Sequence, residues 1–198
     1  MCGILVAEKR SESLYEGLKR INSRGPDQSD YIGVSDKLFM FNRLSIMDLS
    51  ENGMQPFEKN GDVLVCNGEI YNHKVLMKNQ LEDVSFKSSS DCELLLPLYH
   101  RFGVEMFQML DAEFALVLYD SKKDILIAGR DPIGIRPLFY GYTKDGNICF
   151  ASEVKAIIDC VKKVIPFPPG YYYDGKFHKY SSLLEVDKYH DHSPDEIL

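Results

Sequence analysis

Apolar positions in this chain fall mainly into short runs bounded by turn signals, with few long helical stripes. The first run, "GILVAE", reads as a buried strand. Over residues 11–22, "SESLYEGLKRIN", the period changes. Leu14, Leu18 and Ile21 recur at helical spacing behind Ser11 as a cap, and Gly25-Pro26 marks the stop. "DYIGVS" and "KLFMFNRLSI" predict two strands. "DVLVCNGEI" predicts another, ending in an Asn67-Gly68 turn, with a helix after Tyr71. "SSSDCELLLPLYHRFG" reads as a helix opened by a Ser/Asp cap and closed by Gly103, although Pro97 works against it. "EFALVLYD" and "DILIAGRD" predict a hairpin across residues 121–123, and "PLFYGY" and "NICFAS" another across 144–146. "SEVKAIIDCV" reads as a short helix, and "VIPFPPGYYY" and "KFHKY" as late extended segments. The polar stretch 187–198 reads as a tail or the start of an interdomain linker.

Strands joined by tight turns give largely antiparallel sheets. "LVLY" and "ILIA" are apolar on both faces, so each sheet needs cover from another sheet and from helices. A layered α+β sandwich follows. The chain of 198 residues suffices for one domain with a sizeable core.

A net charge of −7 argues against binding to nucleic acid or to an anionic membrane surface. No apolar stretch approaches the roughly 20 residues of a membrane-spanning helix. The five cysteines (Cys2, Cys66, Cys92, Cys149 and Cys160) are odd in number and widely spaced. None forms a C-x-x-C pair, so the simplest reading is free thiols in a reducing cytoplasm. The histidines are equally scattered, and no metal site is expected.

Cys2, directly behind Met1, carries the first chemical question. It is either a small apolar residue opening a buried strand or, once Met1 is removed, a thiol with a free α-amine on the same residue. Such an amine, with a pKa near about 8, can take the thiol proton during attack. Attack on a carbonyl also needs donors for the developing oxyanion. Asn67 and Gly68 offer an amide and a backbone N–H, unless "NG" is only a turn. Arg43 reads as a satisfied ion pair or a carboxylate clamp. Asp91, in "SSSDCE", lies where acids stabilise a helix N-terminus anyway.

Taken together, "MCGI", "RGPD", "RLSIMD", "MQPF", "NGEIYNH", "SDCE", "FALVLYD", "GRDPIGIRPLFYGY", "ASEVKAI" and "FPPGYYY" run nearly the length of the chain. In order and spacing they resemble the class II glutamine amidotransferase domain. This is an N-terminal-nucleophile (Ntn) hydrolase, and the likeness is greatest to the glutaminase domain of B-type asparagine synthetases. The resemblance implies a four-layer αββα fold over residues 2–186. It implies hydrolysis of the glutamine side-chain amide to glutamate and ammonia through a Cys2 thioester. Asn67 and Gly68 would form the oxyanion hole. Arg43 would hold the substrate α-carboxylate and Asp91 its α-ammonium. Backbone around Ile46 and Met47, with Glu69, would complete the pocket.

Ser23, Phe41 and Ala112 depart from the family's usual His, His and Gly at the matching positions. The resemblance also implies no cofactor for this domain. ATP and Mg would belong to a synthetase domain, whose S-G-G-x-D-S type loop these residues lack. That domain or subunit is the expected partner, and homodimeric assembly is compatible with the family. The chain is expected to be a fragment cut near the interdomain linker, with a stand-alone glutaminase subunit as the other reading. Alternatives are the same module feeding another ammonia acceptor, or a catalytically silent regulatory module on the same fold.

Overall fold

The computed structural model describes residues 1–181. Its first strand, β1 (Gly3–Ala7), lies inside a six-stranded sheet with β2 (Gln28–Val34), β3 (Lys37–Arg43), β8 (Phe139–Tyr142), β9 (Ile148–Ala151) and β10 (Ile165–Pro166). A second six-stranded sheet holds β4 (Phe57–Lys59), β5 (Asp62–Ile70), β6 (Ala112–Asp120), β7 (Ile125–Arg130), β11 (Tyr171–Tyr173) and β12 (Phe177–Lys179). Every strand pairing is antiparallel. The hairpins predicted across 121–123 and 144–146 are present as β6–β7 and β8–β9.

The two-residue period of the strands divides the core into three layers. Ile4 and Val6 of β1, with Phe39 and Phe41 of β3, face Val63, Val65, Ala115 and Val117 between the sheets. The alternate residues Leu5, Ala7, Leu38 and Met40 face outward and pack on α1 (Ser13–Arg20) through Leu14 and Leu18. On the second sheet Leu64, Leu116 and Leu118 face the opposite way. They are covered by α3 (Leu95–Phe102), and α2 (His73–Gln80) adds Leu76 to that layer. Helices therefore cover both outer faces, and the expected four-layer αββα order is found.

Some elements differ from the sequence reading. The strand β5 does not end at Asn67-Gly68 but continues to Ile70, paired with β6 at every residue from Val63. "SEVKAIIDCV" contains only a 3₁₀ turn at Val154–Ala156. The segment "SSSDCELLLPLYHRFG" starts as a 3₁₀ turn (Asp91–Leu94) and becomes helical at Leu95. Pro97 then lies in the first turn, where its missing N–H costs nothing, and Gly103 closes the helix at φ 57°. Ser11 does not cap α1 with its side chain: Oγ bonds Ser13 Oγ, and the Ser11 carbonyl accepts from Leu14 N–H instead. The stretch 187–198 lies outside the described residues.

Candidate active site

The N-terminal end of β1, the C-terminal end of β3 and the C-terminal half of β5 meet at one end of the sandwich. Strand parity decides what they present. Residues of β1 and β3 that share a face with Ile4 and Phe41 point between the sheets, and this parity extends to Cys2 and Arg43. On β5 the face carrying Val63 and Val65 extends to Asn67. Cys2, Arg43 and Asn67 line a single pocket of about 90 Å³ with Gly68, Glu69, Asp91, Ile46 and Met47. All eight residues singled out from the sequence are thus brought together.

Cys2 is held on both sides. The Arg24 Nε donates to its carbonyl at 2.9 Å, and its Sγ lies 3.4 Å from the Leu44 N–H and 3.6 Å from the Leu44 carbonyl. Burial pushes the thiol pKa up. The Leu44 N–H and the N-terminal charge oppose that rise, and Arg136 adds a smaller opposing effect. The N-terminal amine here belongs to Met1, which is half exposed at the pocket mouth.

The edge of β5 that faces away from β6 forms the second wall. Backbone groups alternate in direction along a strand, so Cys66, Gly68 and Ile70 present theirs on this same side. The Gln55 side chain satisfies Cys66 twice, donating Nε2–H to its carbonyl at 3.1 Å and accepting its N–H at 2.7 Å. Asp91 Oδ2 accepts the Ile70 N–H at 2.6 Å. Between these two anchored positions the Gly68 N–H faces the pocket. A side chain at Gly68 would lie 2.6 Å from the Glu113 carbonyl, so only glycine allows β5 this close to β6. Next to it the Asn67 Nδ2 is buried with no hydrogen-bond partner. Orphaned buried donors are rare because each costs roughly 1–3 kcal/mol. This one is left free to receive an oxygen from a molecule in the pocket.

Two opposite charges stand beyond these donors. Arg43 is buried and donates to the carbonyls of Ser50, at 2.9 Å, and Asp48. Gly53 makes room for it, since a Cβ there would sit 2.6 Å from Arg43 Nη2. Asp91 is also buried, with Oδ2 engaged by Ile70. Asp48 ties the two arms together. Its carboxylate accepts from Ser50 and, at 2.7 Å, from the Ser89 N–H, and these bonds hold it well below the usual carboxylate range. Asp27 of "RGPD" fixes the start of the same loop by accepting the Ser45 N–H at 2.7 Å. Ile46 and Met47 lie on the rim with exposed side chains, and Glu69 is exposed at its far edge.

Three pocket residues escaped the sequence reading of individual sites. Gln55 sits in the quoted "MQPF" without an assigned role, and its partner is backbone, which no sequence pattern marks. Arg136, from "GIRP", pairs with Glu113 and has a buried, unpartnered Nε. The fully buried Asp131 shapes its loop by accepting the N–H groups of Ile133, Gly134, Ile135 and Arg136. Cys92 abuts Cys66 and the Gly68 carbonyl. Its thiol pKa is raised, first by hydrogen bonding to Cys66 and then by burial.

A thiol at the start of a central strand of an αββα sandwich, two donors beside it and a cation and anion beyond them form the arrangement that amide hydrolysis calls for. The chain belongs to the glutamine amidotransferase domain family, whose model matches residues 1–166. Probable asparagine synthetase [glutamine-hydrolyzing] of Dictyostelium discoideum is 39% identical across 100% of this chain, which covers 37% of that protein. Asparagine synthetase [glutamine-hydrolyzing] 1 of Saccharomyces cerevisiae is 36% identical over 94% of the chain and 34% of its own length. The chain therefore spans about a third of these relatives. Among solved structures, the glutamine phosphoribosylpyrophosphate amidotransferase of B. subtilis shares the fold. Its TM-score is 0.74 at 21% identity, covering 91% of this chain and 49% of that one.

Proposed function

We propose that this domain hydrolyses the side-chain amide of free glutamine and supplies the ammonia for asparagine synthesis from aspartate. The buried, unpartnered Asn67 amide in the pocket of Cys2 carries this reading. With Met1 removed, the Cys2 α-amine takes the thiol proton as Sγ attacks the amide carbon. The Asn67 Nδ2–H and Gly68 N–H receive the oxyanion. The C–N bond breaks, the proton passes to the leaving ammonia, and a thioester remains. Water then attacks the thioester, releasing glutamate and the thiol. Arg43 binds the α-carboxylate and Asp91 the α-ammonium, a pairing that selects the free amino acid over glutamine within a peptide. The backbone near Ile46 and Met47, with Glu69, encloses the chain between the two ends.

These steps need no cofactor. ATP and Mg act in a synthetase domain joined to or docked on this one. Ammonia released into neutral water is soon protonated and lost as a nucleophile, so a covered path to the acceptor is needed. The pocket rim supports such cover: Ile46, Leu49, Ile133 and Ile135 are exposed there or on the adjoining Arg136 loop, Leu49 at 80%. Five free cysteines among the described residues suit a cytoplasmic setting.

The test is intact mass before and after incubation with 6-diazo-5-oxo-norleucine, together with glutamate release from glutamine. Loss of Met1, one adduct on Cys2 and ATP-independent glutamate release are expected. A processed protein that forms no adduct and releases no glutamate would mark a silent module instead.

A further inference from the structure

We propose that Gln55 is a positioning residue for the oxyanion hole, acting through the backbone of Cys66. This rests on the glutaminase reading above.

Strand β4 covers β5 only from Asp62 to Leu64, so the next outward-facing position of β5, Cys66, has no strand beside it. An uncovered buried N–H and C=O would each cost free energy. The Gln55 side chain supplies both partners from one planar amide, at 2.7 and 3.1 Å, and is itself only 5% exposed. It substitutes for the missing strand at this one residue. Asn67 follows Cys66 directly, and Gly68 is the next position facing the same edge. The plane of the Cys66–Asn67 peptide sets where the Asn67 side chain leaves the strand, and one residue later where the Gly68 N–H points. Asp91 anchors the same edge from the other end at Ile70. The two donors are therefore suspended between a neutral amide and a carboxylate. Gln55 also lines the pocket, and the paired bonds to Cys66 fix the orientation of its amide along the strand edge.

A residue that aims transition-state donors affects kcat, while one that only supports the fold affects stability. Gln55→Leu removes both hydrogen bonds at similar volume. Gln55→Glu keeps the shape and restores both bonds only when its carboxyl is protonated. The measurement uses Met1-free protein, kcat and KM for glutamine, and inhibition by glutamate γ-semialdehyde. The aldehyde forms a thiohemiacetal on Cys2 whose oxygen occupies the hole.

For Gln55→Leu the expected result is a fall in kcat of roughly 10–100-fold, KM changed by less than about threefold, and semialdehyde affinity lowered in parallel with kcat. For Gln55→Glu the ratio of its kcat to wild type rises as pH falls from about 8 to about 5.5. A folded Gln55→Leu with wild-type kcat, or with raised KM at unchanged kcat and semialdehyde affinity, overturns the proposal. If Gln55→Leu fails to fold, a pH-independent ratio for Gln55→Glu overturns it. Wild-type protein that releases no glutamate defeats the glutaminase reading itself, before either variant is compared.

Discussion

Burial acts on two groups of the pocket in opposite ways. It holds the Cys2 proton in place by raising the thiol pKa, and it leaves the Asn67 amide hungry for an acceptor. Truncating Asn67 to Ala should lower kcat about 10²–10³-fold with little change in KM, read by steady-state glutamate release. Asp91→Asn should instead raise KM for glutamine, because it removes the carboxylate proposed to hold the substrate ammonium. An unchanged KM would reject that contact. For protein that keeps Met1, alkylation of Cys2 by iodoacetamide should be slow near neutrality. Its rate should climb with pH through a midpoint above the ordinary thiol value, since the thiolate is the nucleophile and burial opposes its formation. Cys2, Arg43, Asn67 and Asp91, which line one pocket, were legible in the sequence because each stands within a recognisable motif. Gln55 and Arg136 were not. The first works through the backbone of Cys66, and the second through a pairing with Glu113 that exists only once β6 is in place.

At the scale of elements, the informative departure is Asn67-Gly68. As a dipeptide it signals a turn, yet β6 pairs with it on one side and overrides local preference. Gly68 is kept for close approach, so Gly68→Ala should force β5 away from β6 and lower both kcat and thermal stability. Preserved kcat at unchanged stability would show that the strands can give. The β6–β7 hairpin end carries a separate device. Burial alone would raise the Asp120 carboxyl pKa. The Tyr99 hydroxyl at 2.7 Å outweighs this, with the Lys123 side chain and N–H, and brings it below its ordinary value. A carboxyl depressed in the fold stabilises it above the ordinary carboxylate pKa. That contribution is lost as pH falls through the depressed value. Wild type should thus lose more stability than Asp120→Asn between about pH 6 and about pH 3, read from urea midpoints. The hydrophobic alternation made strands and hairpins readable. The short 3₁₀ turns at Asp91–Leu94 and Val154–Ala156 share the apolar spacing of helices, so spacing alone does not separate the two.

At the scale of the molecule, the sandwich puts its candidate site where the two sheets open at one end, with Ile46 and Met47 exposed on the rim. The layered order followed from runs apolar on both faces, whereas the meeting of β1, β3 and β5 at a common end needed the register of pairs far apart in sequence. One of those pairs has a consequence for biosynthesis. β1 lies between β3 and β9, with Leu5 opposite both Met40 and Ala151. The strand leading from Cys2 therefore cannot be completed on both edges until residues about 150 positions later have been made. At ordinary translation speeds this leaves the Cys2 end of β1 open for roughly ten seconds or more. The proposed removal of Met1 has that window to take place, before Met1 settles at the mouth of a finished pocket. Closure around Cys2 is thereby timed by topology: the strand that opens beside it waits for an edge partner some 150 residues away.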